Sequence, residues 1–160
     1  MENQNLSSSP RRVQQALKML GAPCQVVELQ ASTRTAIEAA QAVGCQLGQI
    51  VKSLIFVLQP ANQYILVLVS GENRVNEKNL GKLLGGKIVK ADAFAVQQMV
   101  GYAIGGVPPV GLDTSLPTYI DEDLLKYDVI WAAAGTPHAV FQITSKDLLR
   151  VTNGKVISVK

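Results

Sequence analysis

The chain has 160 residues, 48% of them hydrophobic and 17% charged, with a net charge of +3. That composition supports a packed core without staples and excludes the low-hydropathy, high-charge regime of disorder. Its apolar runs fall well short of the roughly 20 residues of a bilayer span, two cysteines make no disulfide scaffold, and so small a charge excludes wrapping of nucleic acid while permitting local contact.

Residues 1–8, MENQNLSS, are polar and read as a flexible leader ahead of a single domain over 9–160. With an acidic residue and no apolar stretch, this segment does not resemble a secretory signal, so a cytoplasmic protein is expected. Ser9 can cap a helix with Pro10 at its first position, Val13, Ala16, Leu17 and Leu20 recur at helical spacing, and Gly21 ends it. CQVVEL follows as a short strand. Thr35-Ala36-Ile37-Glu38 opens the next helix with a capping box, and Gly44 closes it. IVKSLIFVL and YILVLVS are then two strands of a central hairpin around the turn QPANQ. Both are apolar on both faces, so each face of the sheet should be covered, most simply by helices. Asn76 can cap a helix over EKNLGKLLG, KIVKA reads as a strand, and Asp92 can cap AFAVQQMV before Gly101. GYAIGGVPPVGLDTSLP has no helical period and reads as structured loop. TYID should be a strand, EDLLKY a short helix, VIWAAA and HAVFQI a second hairpin, SKDLLRV a helix, and KVISV a last strand after the Asn153-Gly154 turn.

Four features bear on chemistry. Lys52 interrupts an otherwise apolar strand, where an ammonium must either reach water or find an anion. The loop GGVPPVG, 105–111, could aim fixed amides at an anionic or carbonyl oxygen, or could simply be a tight corner. His138 starts a strand after a turn, where a neutral imidazole more often caps backbone than performs chemistry. GKLLGGK, 81–87, matches half of a phosphate loop, but the order of helix and strand is reversed and Ile88 stands where Ser or Thr should hold a metal, which favours a helix end with a glycine cap. One histidine and two dispersed cysteines suggest no metal site, and no cofactor motif is present. No nucleophile elbow or thiol-protease signature occurs either.

In order and spacing, GQIVKSLIF, YILVLVSGENRVNEKNLGKLLG, GGVPPVG, YIDEDL, AAGTPHAVFQIT and DLLRV together resemble the YbaK/EbsC family of aminoacyl-tRNA deacylases, relatives of the editing domain of bacterial prolyl-tRNA synthetases. The resemblance implies an α+β fold with a central mixed, barrel-like sheet flanked by helices. It implies hydrolysis of the ester between a wrong small amino acid, of Ala, Cys or Ser type, and the terminal adenosine of tRNA. The partner would be aminoacyl-tRNA through its 3′ adenosine and amino acid, with no membrane and no metal, and the protein a monomer or weak homodimer. Lys52 matches the family's strand lysine, and Gly105 to Pro109 its GxxxP loop. Lys52, Gly105, Gly106 and Val107 would act in catalysis, with amides around Gly106 and Val107 orienting the ester carbonyl. Ser53, Pro108, Pro109, Gly135 and His138 would contact substrate. Pro108 stands where many relatives carry Ser or a small residue, and the AAGTPHAVF turn differs from that of the cysteinyl-tRNA deacylases, a departure that leaves a catalytically silent nucleotide- or tRNA-binding module as the alternative.

Overall fold

The computed structural model describes residues 5–160. Helix α1 (Ser8–Met19) leads to strand β1 (Val26–Glu28), helix α2 (Ala36–Val43) and the hairpin of β2 (Ile50–Gln59) and β3 (Gln63–Ser70). Then come α3 (Glu77–Leu84), β4 (Lys87–Lys90), α4 (Ala93–Val100), β5 (Thr118–Asp121), β6 (Val129–Ala133), β7 (Ala139–Thr144), α5 (Ser145–Thr152) and β8 (Lys155–Ile157). The strands form one mixed sheet in the order β1-β7-β6-β2-β3-β5-β8, with β4 also paired to β2. Five helices flank it.

Local chemistry accounts for the element boundaries. The capping box of Thr35 and Glu38 opens α2, and Gly44 closes it in the left-handed conformation. Asn76 and Asp92 accept from Asn79 and Ala95 amides to start α3 and α4. GKLLGGK is the end of α3, capped by left-handed Gly85, followed by β4. Two details differ from expectation. Ser7, not Ser9, precedes the first helix: its amide and hydroxyl each donate to the Glu28 carboxylate at 2.7 Å, and Pro10 sits in the first turn, where its missing N–H deprives no helical carbonyl. The EDLLKY segment winds as a 3-10 turn, Glu122–Lys126, with the Asp121 carboxylate accepting the Asp123 amide. The leader expected over 1–8 falls partly outside the described residues, and within them Leu6 is already buried in the core.

The β2–β3 hairpin is covered on both faces, as two-sided apolarity requires. Val51, Leu66 and Leu68 face one cluster with α1, Phe141 and Leu148, and Phe56, Ile65, Val67 and Val69 face another with Leu80 of α3. Strand alternation puts Lys52 on the second face, paired with Val69 beyond the last apolar residues.

β2 also carries an interrupted edge. β3 pairs with it from Val51 to Leu58, but on the other side β6 pairs only at Ile50 and Val51, and β4 only from Phe56 to Gln59. Lys52, Ser53 and Leu54 therefore meet no strand on that side, and Ile55 meets only the Ala91 amide. Because the Gly71 amide donates to Ile50, alternation directs the backbone groups of Lys52 and Leu54 toward β3 and those of Ser53 into the gap.

Beyond β3 the chain turns through Gly71 to Asn73. A Cβ on Gly71 would lie 2.3 Å from the Leu47 carbonyl oxygen, so this turn packs backbone to backbone on the 3-10 segment before β2. Asn73 Nδ2 donates to Asp121 Oδ2 and Asp123 Oδ2, both at 2.8 Å, while the Asp121 carboxylate also accepts the Ser70 amide. Lys126 and Lys160 each reach Asp123 at 2.9 Å. The Asn73 hydrogen bond, then the two lysines, hold the Asp123 carboxyl far below the usual aspartate range.

Gly71→Ala should cost roughly 1–3 kcal/mol, since the clash is with backbone and not with a flexible side chain. An unchanged denaturant midpoint would show that the turn relaxes freely. Asp123 should contribute stability that is present above about pH 4, where the unfolded aspartate ionises, and that is lost as the pH falls below it, because its folded-state affinity for protons is depressed. Unfolding curves collected between pH 6 and pH 2.5 should accordingly be flatter for Asp123→Asn, and an equally steep acid loss would place the effect elsewhere.

Candidate active site

Two cavities open along the interrupted edge of β2. The larger, about 490 Å³, lies on the α3–β4 side, where Arg74, Val75, Lys90 and Ala91 face Phe56 and Val96. The smaller, about 340 Å³, lies on the α2–β6 side, between Thr33, Arg34 and Ala36 on one wall and Trp131, Ala132 and Val140 on the other. Both share Lys52, Ser53, Leu54, Ile104 and Val107, so Lys52 and the glycine-proline loop stand at the junction. Gly105 lines the smaller cavity.

Lys52 is half-buried, and burial pushes its ammonium below the ordinary lysine value, with Arg74 acting in the same direction and Asp121 partly opposing. It donates one hydrogen bond, to the Asn73 carbonyl. An ammonium has three N–H donors, so two are left for a ligand. The buried Asp121 carboxylate is tied to backbone and to Asn73 Nδ2, and the Asn73 residue thus sits between the two charges.

The loop is held from behind. The Gly106 amide, expected to face the ester, donates to the Ala103 carbonyl, and its own carbonyl accepts from Gly135 at 2.8 Å. A Cβ on Gly106 would come within 2.8 Å of the Thr136 backbone, so the loop and the β6–β7 turn touch main chain to main chain. Gly105 holds a φ of 97°, and its amide and that of Val107 have no hydrogen-bond partner among the described residues. The loop therefore keeps two uncommitted amides flanking the occupied Gly106 donor, that of Val107 at the junction and that of Gly105 on the smaller cavity.

The other expected contacts are distributed differently. Ser53 lines both cavities. Pro108 is buried under the loop, and Pro109 lines a separate small cavity beside Leu20 and Leu112. Gly135 and His138 do not line the cavities. His138 is exposed, with Nδ1 3.1 Å from the Ala31 carbonyl oxygen, while the Pro137 and His138 carbonyls accept from Thr33 and Leu29. This turn thus fixes both the loop at 105–107 and the segment bearing Thr33 and Arg34.

Sequence reasoning passed over Asn73, Asp121, Arg74 and Thr33. Asn73 and Asp121 fall inside the quoted stretches SGENR and YIDED, but nothing local says that they meet. Thr33 Oγ1 and Ser53 Oγ are buried without a hydrogen-bond partner among the described residues, and both residues line the smaller cavity. Such unmade bonds typically cost about 1–3 kcal/mol each. Among the described residues, no group of three or more His, Cys, Asp or Glu side chains is arranged to hold a metal ion, and no helix is long and apolar enough to cross a membrane.

Protein YwhH of Bacillus subtilis, an uncharacterized protein, is 30% identical over 131 residues, covering 82% of this chain and 83% of its own. EbsC of Enterococcus faecalis, named as a candidate Cys-tRNA(Pro)/Cys-tRNA(Cys) deacylase, is 28% identical over 117 residues, 72% of this chain and 71% of its own. A crystal structure described as a candidate trans-editing enzyme for prolyl-tRNA synthetase superposes with a TM-score of 0.92 at 53% identity, covering 98% of this chain and 99% of that one. The family model described as the aminoacyl-tRNA editing domain matches residues 30–151, and the chain belongs to that family.

Proposed function

We propose that the protein is a free-standing trans-editing deacylase, hydrolysing the ester that joins a mischarged small amino acid, of Ala, Cys or Ser type, to the 3′ adenosine of tRNA. The observation that carries this reading is that Lys52 and Val107 line both cavities, with Gly105 lining the smaller one beside them. The larger cavity, with apolar walls and cations at Arg74 and Lys90 outnumbering the carboxylate of Glu77, suits the terminal nucleoside and its phosphate. The smaller, walled by Ala36, Ala132 and Val140, suits a short side chain, and a χ1 rotation of Thr33 or Ser53 would offer a hydroxyl to it.

Hydrolysis adds water to the ester carbonyl carbon and places negative charge on its oxygen. The carbon–oxygen bond to the ribose then breaks, the ribose oxygen takes up a proton, and the amino acid leaves as its carboxylate. Fixed donors aimed at the developing oxyanion lower the barrier by about 3 kcal/mol apiece. The Gly105 and Val107 amides are the backbone candidates for that role, and the two uncommitted Lys52 donors can hold ribose or phosphate oxygens on the other side of the ester. No side chain at the junction is an evident general base, which leaves activation of water to positioning and to the neighbouring ribose hydroxyl.

Release of amino acid from Ala-, Cys- and Ser-tRNA should exceed the buffer rate for at least one ester, and Lys52→Ala should lower kcat/KM roughly 100-fold. Tight binding of an uncleavable aminoacyl-adenosine without turnover of any ester would instead identify a silent binding module. Asn73→Ala keeps the carbonyl but removes the amide that anchors it to Asp121 and Asp123, so it should lower kcat/KM roughly 10-fold through loosened placement of Lys52. In the Lys52→Ala background the same change should add almost nothing, whereas full additivity would assign Asn73 a purely structural role.

A further inference from the structure

Positive charge is concentrated in one short stretch. Residues 74–90 carry five cations, Arg74, Lys78, Lys82, Lys87 and Lys90, against the single carboxylate of Glu77, a net charge of +4 where the whole chain has +3. The remainder of the molecule is therefore net −1. All five cations are exposed, and among the described residues none is within ion-pair distance of a carboxylate. Of the other exposed cations, Arg12, Lys126, Arg150 and Lys160 each pair with an aspartate, while Lys18, Arg34, Lys146 and Lys155, unpaired among the described residues, are scattered singly along the chain.

The fold orders these charges with respect to the larger cavity. Arg74, just before α3, and Lys90, at the end of β4, line it beside Lys52, with Glu77 at the start of α3 the one carboxylate among three cations. From there α3 runs outward, with Lys78 and Lys82 one turn apart on one face and separated by about 6 Å along the axis. The chain returns along β4 from Lys87 to Lys90. Cations without ion-pair partners among the described residues, at the mouth of a cavity and along the adjoining helix, match a polyanion that enters the cavity at one end and continues over the surface.

We propose that α3 and β4 form the docking strip for the phosphates of the tRNA acceptor end, with the strand leaving the larger cavity between Arg74 and Lys90 and passing over Lys78 and Lys82. The inference rests on the deacylase reading for which end enters the cavity, but it concerns nucleic-acid binding and is testable without turnover. It also sets a direction, because the amino acid then lies on the α2–β6 side of Lys52 and the tRNA body on the α3 side.

Binding of fluorescently labelled, deacylated tRNA, followed by anisotropy across a salt series, tests it. Each phosphate contact contributes about 0.7–0.9 to the slope of log K against log salt, so Lys78→Glu with Lys82→Glu should lower the slope by about 1.5 and weaken binding at least 10-fold at low salt. Replacing both with Gln should give the same loss of slope with a smaller loss of affinity. The charge-matched pair Lys18→Glu with Lys146→Glu, on α1 and α5, should leave the slope within 0.5 of the parent value, this margin being roughly half of one phosphate contact. Equal losses from both pairs would mean net-charge attraction without a docking strip, and no loss from the α3 pair would mean that tRNA binds elsewhere; either overturns the proposal. Failure of the deacylase reading would show separately, as absence of ester hydrolysis by the unaltered protein.

Discussion

The interrupted edge of β2 is the constraint on which the site depends. A strand in the middle of a sheet normally satisfies its backbone on both sides, and irregular exposure of N–H and C=O groups in an interior is costly. Here β3 occupies one edge continuously, while β6 leaves after Val51 and β4 arrives only at Phe56. Opposite the gap Val67 and Leu68 are fully buried, so its floor is close-packed even though its edge is open. Lys52, Ser53 and Leu54 fall in the gap, and the two cavities are its two sides.

A cation can persist there because the polar network behind it is arranged to hold it without neutralising it. A direct Lys52–Asp121 ion pair would fix the ammonium against a fully buried carboxylate and turn its donors inward. Instead Asp121 accepts from the Ser70, Asn73 and Asp123 N–H groups, and among the described residues Lys52 donates its hydrogen bond to the Asn73 carbonyl. The carboxylate still raises the lysine's proton affinity, against burial and Arg74, which favours the charged form without occupying its remaining donors. The cations of Lys126 and Lys160 lie on the outer side of Asp123 and are largely solvated, so they contribute little to the charge felt at the cavity.

Much of this architecture was legible in the residues, for identifiable reasons. Caps at Thr35, Asn76 and Asp92, and the apolar strands 50–58 and 64–70, are local signals, and they mark the elements that form. The anomaly of Lys52 was also local, since one charge in an apolar strand stands out by alternation alone. What the sequence could not convey was pairing. That β6 and β4 share one edge of β2 with a gap between them depends on contacts 28 to 81 residues apart, and so does the meeting of Asn73 with Asp121. The same limit explains Gly106 and His138. The motif around each is visible, but whether an amide or an imidazole faces the cavity or the scaffold is decided by the neighbour it meets, Ala103 for one and Ala31 for the other.

These placements separate the parts of the site that must be rigid from those that can vary. The 105–107 loop and the 29–34 segment are both hydrogen-bonded to the β6–β7 turn through main-chain groups of Gly106, Gly135, Pro137, His138, Leu29 and Thr33. Backbone contacts of that kind are indifferent to most side chains, so the loop can keep its position while neighbouring residues change. The walls of the smaller cavity, by contrast, are side chains of Thr33, Ala36, Trp131, Ala132 and Val140, whose size and polarity set what fits. On the proposed reading, a change in the amino acid accepted would require replacement of wall residues alone, without disturbing the backbone donors or the Lys52 network that would act on every ester alike.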